Sequence, residues 1–362
     1  MSEERQGILP DWRIAELHAQ GAIVAARALD GDQIQPASLD LRLGETAWRV
    51  RASFLPGRET VREKLDRLSL HQIDLSQGAV LETGCVYVVP LLESLALPVD
   101  LAAAANPKSS TGRIDIFTRV IVDHAQEFDK APAGYRGPLY LEISPRTFPV
   151  IVRTGSRLSQ IRFRRGSSAL SAEALRELHR SAGLVAGRDP DISGGGIAVS
   201  IDLAALGKPV GWRGKRHTAL IDVDRRGALA IDDYWEPVYP LAEGALILDP
   251  DEFYILVSRE AVHVPPGHAA EMTPFDPLVG EFRVHYAGFF DPGFGHEEAG
   301  GHGSRAVLEV RSRDVPFILE HGQTVGRLVY EEMTARPKVL YGAGAGSTYQ
   351  AQGLKLSKHF RG

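Results

Sequence analysis

"LYLEISPRTFPVIVRTGSRLSQIRF", residues 139–163, is written a second time, in altered letters, as "AVLEVRSRDVPFILEHGQTVGRLVY", residues 306–330. Glu142 stands opposite Glu309, and Gly155 opposite Gly322. Two further echoes keep the same order: "AELHAQGAIV" from Ala15 returns as "RELHRSAGLV" from Arg176, and "SLDLRLG" (38–44) returns as "SIDLAALG" (200–207). Three matches in one order, each about 160 to 170 residues apart, mark a tandem duplication.

The repeated stretches also set the fold class. Short β-branched runs such as "CVYVVPL", "FPVIVR", "FYILVS" and "FILEHG" are punctuated by Gly, Pro and Asp, which is an all-β pattern. One short helix opens each unit; in the second, Ser171 stands as a cap ahead of Leu175 and Leu178 at helical spacing. Helices do not alternate with successive strands, as a parallel α/β sheet would require. The expected division is a first unit over 1–165, a second over 166–336 and a C-terminal arm over 337–362.

Composition narrows the function. The chain has 362 residues, 44% hydrophobic and 24% charged, as in soluble two-domain proteins. No run approaches roughly eighteen apolar residues, and "MSEERQGILP" lacks an apolar signal core, so a cytoplasmic protein with no membrane partner is expected. A formal net charge of -5 argues against binding a nucleic acid polymer. Cys85 is the single cysteine, which excludes an internal disulfide and a multi-cysteine zinc site.

Two segments carry candidate chemistry. "NPKSSTGRID" (106–115) packs Lys108, Ser109, Ser110, Thr111, Gly112 and Arg113 into a tight connection entering a strand. Hydroxyls, backbone N–H groups and two cations converging on one turn suit an anion, though a solvated loop has the same composition. "GYRGPLYLEI" (134–143) sets Glu142 between Leu141 and Ile143. Such a carboxylate either faces solvent or, if partly desolvated, acquires a pKa suited to proton transfer near neutrality. His285, His296 and His302 fit no compact metal-ligand spacing.

"KSSTGR", "GYRGPLYLEI" and "YGAGAGSTYQAQGLKLSKHF", with "ILPDWRIAELHAQGAI" and "QPASLDLRLG" at the start, together resemble the dCTP deaminase family of the dUTPase-like superfamily. The resemblance implies two tandem dUTPase-like distorted β-barrels of jelly-roll kind. It implies hydrolytic deamination of dCTP to dUTP and ammonia, with dCTP and dUTP as small-molecule partners and Mg²⁺ riding with the triphosphate. Zinc is not expected, because "HEE" (296–298) and Cys85 cannot supply the elements that zinc deaminases use.

The resemblance also assigns roles. Glu142 takes that of general acid/base, with Ser109 and Arg113 holding water and intermediate; the turn from Lys108 to Arg113 takes the phosphates. Tyr140 and Leu141 line the base pocket, Tyr135 belongs to the Gly-aromatic turn, and Asp129 is the candidate for the sugar hydroxyl. Tyr341 and Gln352 fit the closing arm, but Thr348 stands where a lysine is expected, leaving Lys355 or Lys358 to supply its charge.

The second unit has "AGFFDPGFG" (287–295), closer to the family's sugar-side turn than the first unit's version, yet "TPFDPLVGEFRVHY" (273–286) lacks the cationic turn. The expectation is one complete site per chain, held by the first unit and lidded by the tail. Glu309 is then a relic, with Asp291 available to a neighbouring site. Because single-unit relatives are trimers with sites between barrels, unit two suits the place of a built-in neighbour within a homo-oligomer, a trimer being one form. Two other readings stay open: a dUTP diphosphatase or bifunctional deaminase that also releases pyrophosphate, and a barrel that binds nucleotide only as a regulator.

Overall fold

In the computed structural model, residues 5–204, 207–274, 282–284, 288–312, 314–342 and 353–361 are described. Each unit is built of two main antiparallel sheets. In the first unit, Leu101–Pro107, Arg157–Arg165 and Ser38–Arg42 are successive neighbours in one sheet, and Ile116–Val122, Arg136–Pro145 and Val86–Ala96 in the other. The second unit repeats both arrangements, with His268–Pro274, Thr324–Glu332 and Gly196–Ser200 in one sheet and Phe282–Val284, Ser304–Ser312 and Phe253–Val262 in the other. The chain is all-β in class. Among the described residues no helix is long and apolar enough to cross a membrane.

Arg136–Pro145 and Ser304–Ser312 read as almost unbroken buried runs instead of alternating ones because both faces are covered: Leu139, Leu141 and Ile143 pack in one apolar cluster and Tyr140 in another, as Val307 does in one and Ala306, Leu308 and Val310 in another. Short helices open the units, Asp11–Ala19 and Ala172–Ala182. Ser171 caps the second by accepting from Ala174 N at 3.2 Å, and Leu175 is buried beneath it. Gly183 ends that helix at φ 61, a left-handed position that favours glycine.

Register corrects one sequence match. Leu39 pairs with Ile161 and Ile197 with Leu328, so the spatial counterpart of Ser38–Arg42 is Gly196–Ser200, four residues before the stretch whose letters agree. The apolar set Ile197, Val199 and Ile201 must face the core, and that requirement outweighs the shared Ser-x-Asp-Leu. Asp40 of the first unit therefore has Ala198 as its counterpart.

The two units share more than a linker. Val150–Val152 of the first pairs in parallel with Ile221–Asp222 of the second. Leu141 and Phe148 belong to the same buried cluster as Trp235, Phe253 and Val307. Leu356 and Phe360, from the end of the chain, enter that cluster too, with Phe360 edge-on to Tyr234 and Trp235 at 5.4 and 5.8 Å. The last residues are also tied by backbone: Gly227 N donates to Lys358 O at 2.9 Å and Ala228 N to His359 O at 3.0 Å.

Candidate active site

The first unit contributes the cationic turn. Leu101–Pro107 ends at Pro107, Lys108 remains extended, and the chain then makes a one-turn helix, Ser109–Gly112, before Ile116–Val122 begins. The tight connection expected from the sequence is thus a helical turn, with Thr111 N and Gly112 N both donating to Lys108 O. Lys108, Ser109, Ser110 and Arg113 line a cavity of about 710 Å³ between the units. Thr111 and Gly112 are buried behind it. Lys108 pairs with Asp40, whose other oxygen, Oδ1, has no hydrogen-bond partner among the described residues.

The second unit contributes the acid. Glu309 sits in Ser304–Ser312 and lines the same cavity, 5% exposed. Burial pushes its carboxyl up to about 7; the Arg113 guanidinium pulls the other way, and Asp115 adds to the rise. Asp291, Phe289, Phe290 and Phe294 form a second wall. Asp291 Oδ1 accepts from Arg162 Nη2 at 3.0 Å, and burial raises its carboxyl pKa against that guanidinium. The Arg162 guanidinium stacks over Phe289 at 4.0 Å, so this wall is fastened from the first unit.

The end of the chain closes the cavity. Tyr341 lines it, its backbone N donating to Pro292 O at 2.9 Å and its ring lying 5.7 Å from that of Phe294. Gly293, at φ 97, permits this approach, since a Cβ there would stand 3.0 Å from Tyr341 N. Further on, Lys355 O accepts from Arg113 Nη1 at 3.0 Å and Ser357 Oγ donates to Ser110 O at 2.8 Å, so the tail holds the turn from behind. Lys358 lines the cavity; burial, then the neighbouring Lys108 and Arg226, bring its ammonium down to about 8. Gln352 and Thr348 lie outside the described residues.

The remaining expected site residues are elsewhere. Glu142 does not line the cavity: its Oε1 accepts from Arg119 Nε at 3.0 Å and from Arg119 Nη2 at 2.6 Å. Arg119 also stacks over Phe128 at 3.5 Å, so a guanidinium occupies the space before this glutamate. Asp129 is not the counterpart of Asp291. It occupies the place of Gly288, each giving its carbonyl to the matching strand N–H, Ala105 or Met272, and its carboxylate accepts from Val120 N at 2.7 Å. The place of Asp291 is taken in the first unit by Pro132, just before the equivalent glycines Gly134 and Gly293. Tyr135 gives its hydroxyl hydrogen to Pro138 O at 2.7 Å, and Tyr140 and Leu141 are packed in apolar clusters. Asp129, Tyr135, Tyr140 and Leu141, like Glu142, do not line the cavity.

The sequence reading missed Glu309 as a cavity residue, and the clue was present: the "FFDPGFG" that precedes it is the better sugar-side turn. Phe289, Phe290 and Asp291 of that turn do line the cavity.

Fold and cavity define a class: a tandem all-β protein in which a cationic, hydroxyl-bearing turn of one unit faces a buried carboxyl of the other. Residues 5–167 match the family described as the 2'-deoxycytidine 5'-triphosphate deaminase N-terminal domain, and residues 171–360 the corresponding C-terminal domain. The chain belongs to the dCTP deaminase family. It is similar to a dCTP deaminase of Halorubrum lacusprofundi, 33% identical over 43% of this chain and 76% of the relative. Over 43% of this chain and 81% of the relative it is 30% identical to a dUMP-forming dCTP deaminase of Coprothermobacter proteolyticus. Among solved structures it resembles a 2'-deoxycytidine 5'-triphosphate deaminase from Agrobacterium tumefaciens, with 67% identity, a TM-score of 0.87, and 91% of this chain and 99% of that one covered.

Proposed function

We propose that the chain hydrolyses the amine of dCTP, giving dUTP and ammonia, in the cavity between its units, with Glu309 in the role that the sequence reading gave to Glu142. The observation that carries this is the placement of Glu309, a buried carboxyl with its pKa near 7, across one cavity from Ser109 and Arg113. A carboxyl at that pKa takes and returns a proton at neutral pH, which deamination requires twice.

In this reading Glu309 removes a proton from water as the water oxygen bonds to C4 of cytosine. The proton passes to N3; the remaining water proton then moves through the carboxyl to the amino group, and the C4–N bond breaks to release ammonia. Arg113 and the Ser109 and Ser110 hydroxyls steady the charge that develops on the attacking oxygen. The Phe289–Phe290–Phe294 wall and Asp291 face the sugar. Lys108, Arg226 and Lys358 gather at the phosphates, Lys358 standing in for the arm lysine missing at Thr348. Mg²⁺ accompanies the triphosphate and takes no part at C4. A cytoplasmic location and a homo-oligomer belong to the same reading, although every group named here comes from one chain.

A second reading adds release of pyrophosphate; relatives named dUMP-forming, at 30% identity, favour keeping it. Incubation with dCTP and, separately, with dUTP, assaying ammonia and pyrophosphate independently, tests both. Ammonia from dCTP with dUTP as product is expected; no ammonia would sink the proposal. Pyrophosphate from either nucleotide would establish the second reading. Ammonia release is expected to persist after treatment with a zinc-selective chelator.

A further inference from the structure

Two residues beyond each of the facing groups, the units are bolted together. Arg311 follows Glu309 by two places on one strand, so both side chains leave the same face, and Asp115 follows Arg113 by two places after the helical turn. Arg311 Nη2 donates to Asp115 Oδ2 and, at 3.0 Å, to Thr147 Oγ1; Thr147 Oγ1 donates to the same Asp115 oxygen at 2.6 Å. Arg311 Nη1 also donates to Asp251 O. Asp115 is 1% exposed and Arg311 7%. Asp115 adopts φ 54, a left-handed turn that aspartate and asparagine tolerate better than most residues, and its carbonyl accepts from Arg146 N at 2.9 Å. In the first unit the place of Arg311 is held by Ser144, so the strand of Glu142 carries no counterpart of this arginine.

We propose that Asp115, Arg311 and Thr147 are positioning residues of the deamination site, fixing the cationic turn against the strand of Glu309 and balancing the charge that Glu309 meets. The proposal rests on the reading of Glu309 as the acid/base. Its leverage is electrostatic as well as mechanical. Among the described residues, Arg113 and Asp115 from the turn act on the charge of Glu309, Arg311 lies two places along its strand and pairs with Asp115, and Asp291 lines the same cavity. The Asp115 carboxylate raises the proton affinity of Glu309, and Arg311 is paired with that carboxylate. Removing one partner or the other therefore disturbs Glu309 in opposite directions, which loss of a purely structural bolt does not.

The test is the pH dependence of kcat/KM for ammonia release from dCTP, measured on the full chain and on Asp115→Asn, Arg311→Gln and Arg311→Lys. The acidic limb is expected to move down by on the order of 0.5–1 pH unit in Asp115→Asn and up by a similar amount in Arg311→Gln, with Arg311→Lys between it and the parent. Thermal melts identify any variant that fails to fold. Should one fail, Thr147→Val, which only strips the hydroxyl from Asp115, is expected to move the limb up by a smaller amount. A limb that moves up in Asp115→Asn or down in Arg311→Gln, or no shift beside an active parent, overturns the positioning role. A parent chain that releases no ammonia at any pH overturns the reading of the site itself, and the bridge's role falls with it.

Discussion

Arg119 closes two hydrogen bonds on a single oxygen of Glu142, at 3.0 Å from Nε and 2.6 Å from Nη2, whereas Glu309, in the equivalent strand position, faces an open cavity. A glutamate whose carboxylate is already engaged by a neighbouring guanidinium has no room for a substrate. One whose charge is desolvated at the edge of a cavity can exchange protons.

The first prediction separates the two glutamates. Glu309→Gln is expected to lower ammonia release by about 10²- to 10⁴-fold while dCTP still binds, the range typical for loss of a general acid/base. Glu142→Gln should keep the rate within a few fold but melt several degrees lower, because Arg119 loses its charged partner in a largely buried setting. Equal inactivation of both variants, once folding is verified, would return Glu142 to the chemistry.

The pKa of Glu309 makes a second prediction, about stability. Its ordinary value of 4.5 is raised to about 7 in the folded chain, so the folded state binds the proton more tightly than the unfolded one. That contribution is fully present below about 4.5 and is lost as pH rises through about 7, amounting to roughly 3 kcal/mol at most. Glu309→Gln carries no such loss. Melting curves of the two proteins should therefore place the variant progressively above the parent as pH goes from 5 to 8. A gap that stays constant across that range would contradict the buried, raised carboxyl.

How much of this was legible before the structure depends on the residue. The duplication and the Lys108–Arg113 turn were, because repeated letters and a cluster of hydroxyls and cations need no partner to be recognised. The choice between the glutamates was not. Leu141-Glu142-Ile143 and Leu308-Glu309-Val310 have the same local pattern. What distinguishes them is Arg119, which reaches Glu142 only through strand pairing, and Pro132 in the place of Asp291, which appears only once the carbonyls of Asp129 and Gly288 are seen to fill the same role. The tail's anchorage is not legible in the sequence either, because Leu356 and Phe360 stand there as isolated apolar residues in a polar stretch.

That anchorage yields a third prediction. Phe360→Ala removes a ring packed on Tyr234 and Trp235 and should cost about 3–5 kcal/mol if the segment stays docked, less if it detaches. Detachment also takes the Lys355 carbonyl away from Arg113 and Lys358 out of the cavity. Activity should thus fall more than tenfold at temperatures where the variant remains folded by circular dichroism. Full activity in a folded Phe360→Ala protein would show that the tail's end is dispensable to the site.

The last prediction concerns why the chain is doubled. The cavity takes Lys108, Ser109 and Arg113 from the first unit, Asp291 and Glu309 from the second, and Tyr341 and Lys358 from the end of the chain. The reciprocal combination has Glu142 already engaged by Arg119 and has no counterpart of Asp291, so it cannot make a second site of the same kind. Titrating dCTP, or a non-reactive analogue, into a known concentration of protein should give one site per chain. Residues 1–165 alone should release no ammonia, because the fragment lacks Glu309; residues 166–362 should be inactive as well, lacking Arg113. The shared core around Phe148, Trp235 and Phe253 implies that neither half is stable by itself, so the decisive comparison is within the intact chain. There, Arg113→Ala and Glu309→Gln should each lower turnover by on the order of 10²-fold or more, and the double variant should be little worse than the less active single one, since the two groups act on one reaction centre. Two binding sites per chain, or single variants that each keep about half the rate with their losses summing in the double variant, would mean that each unit runs its own chemistry.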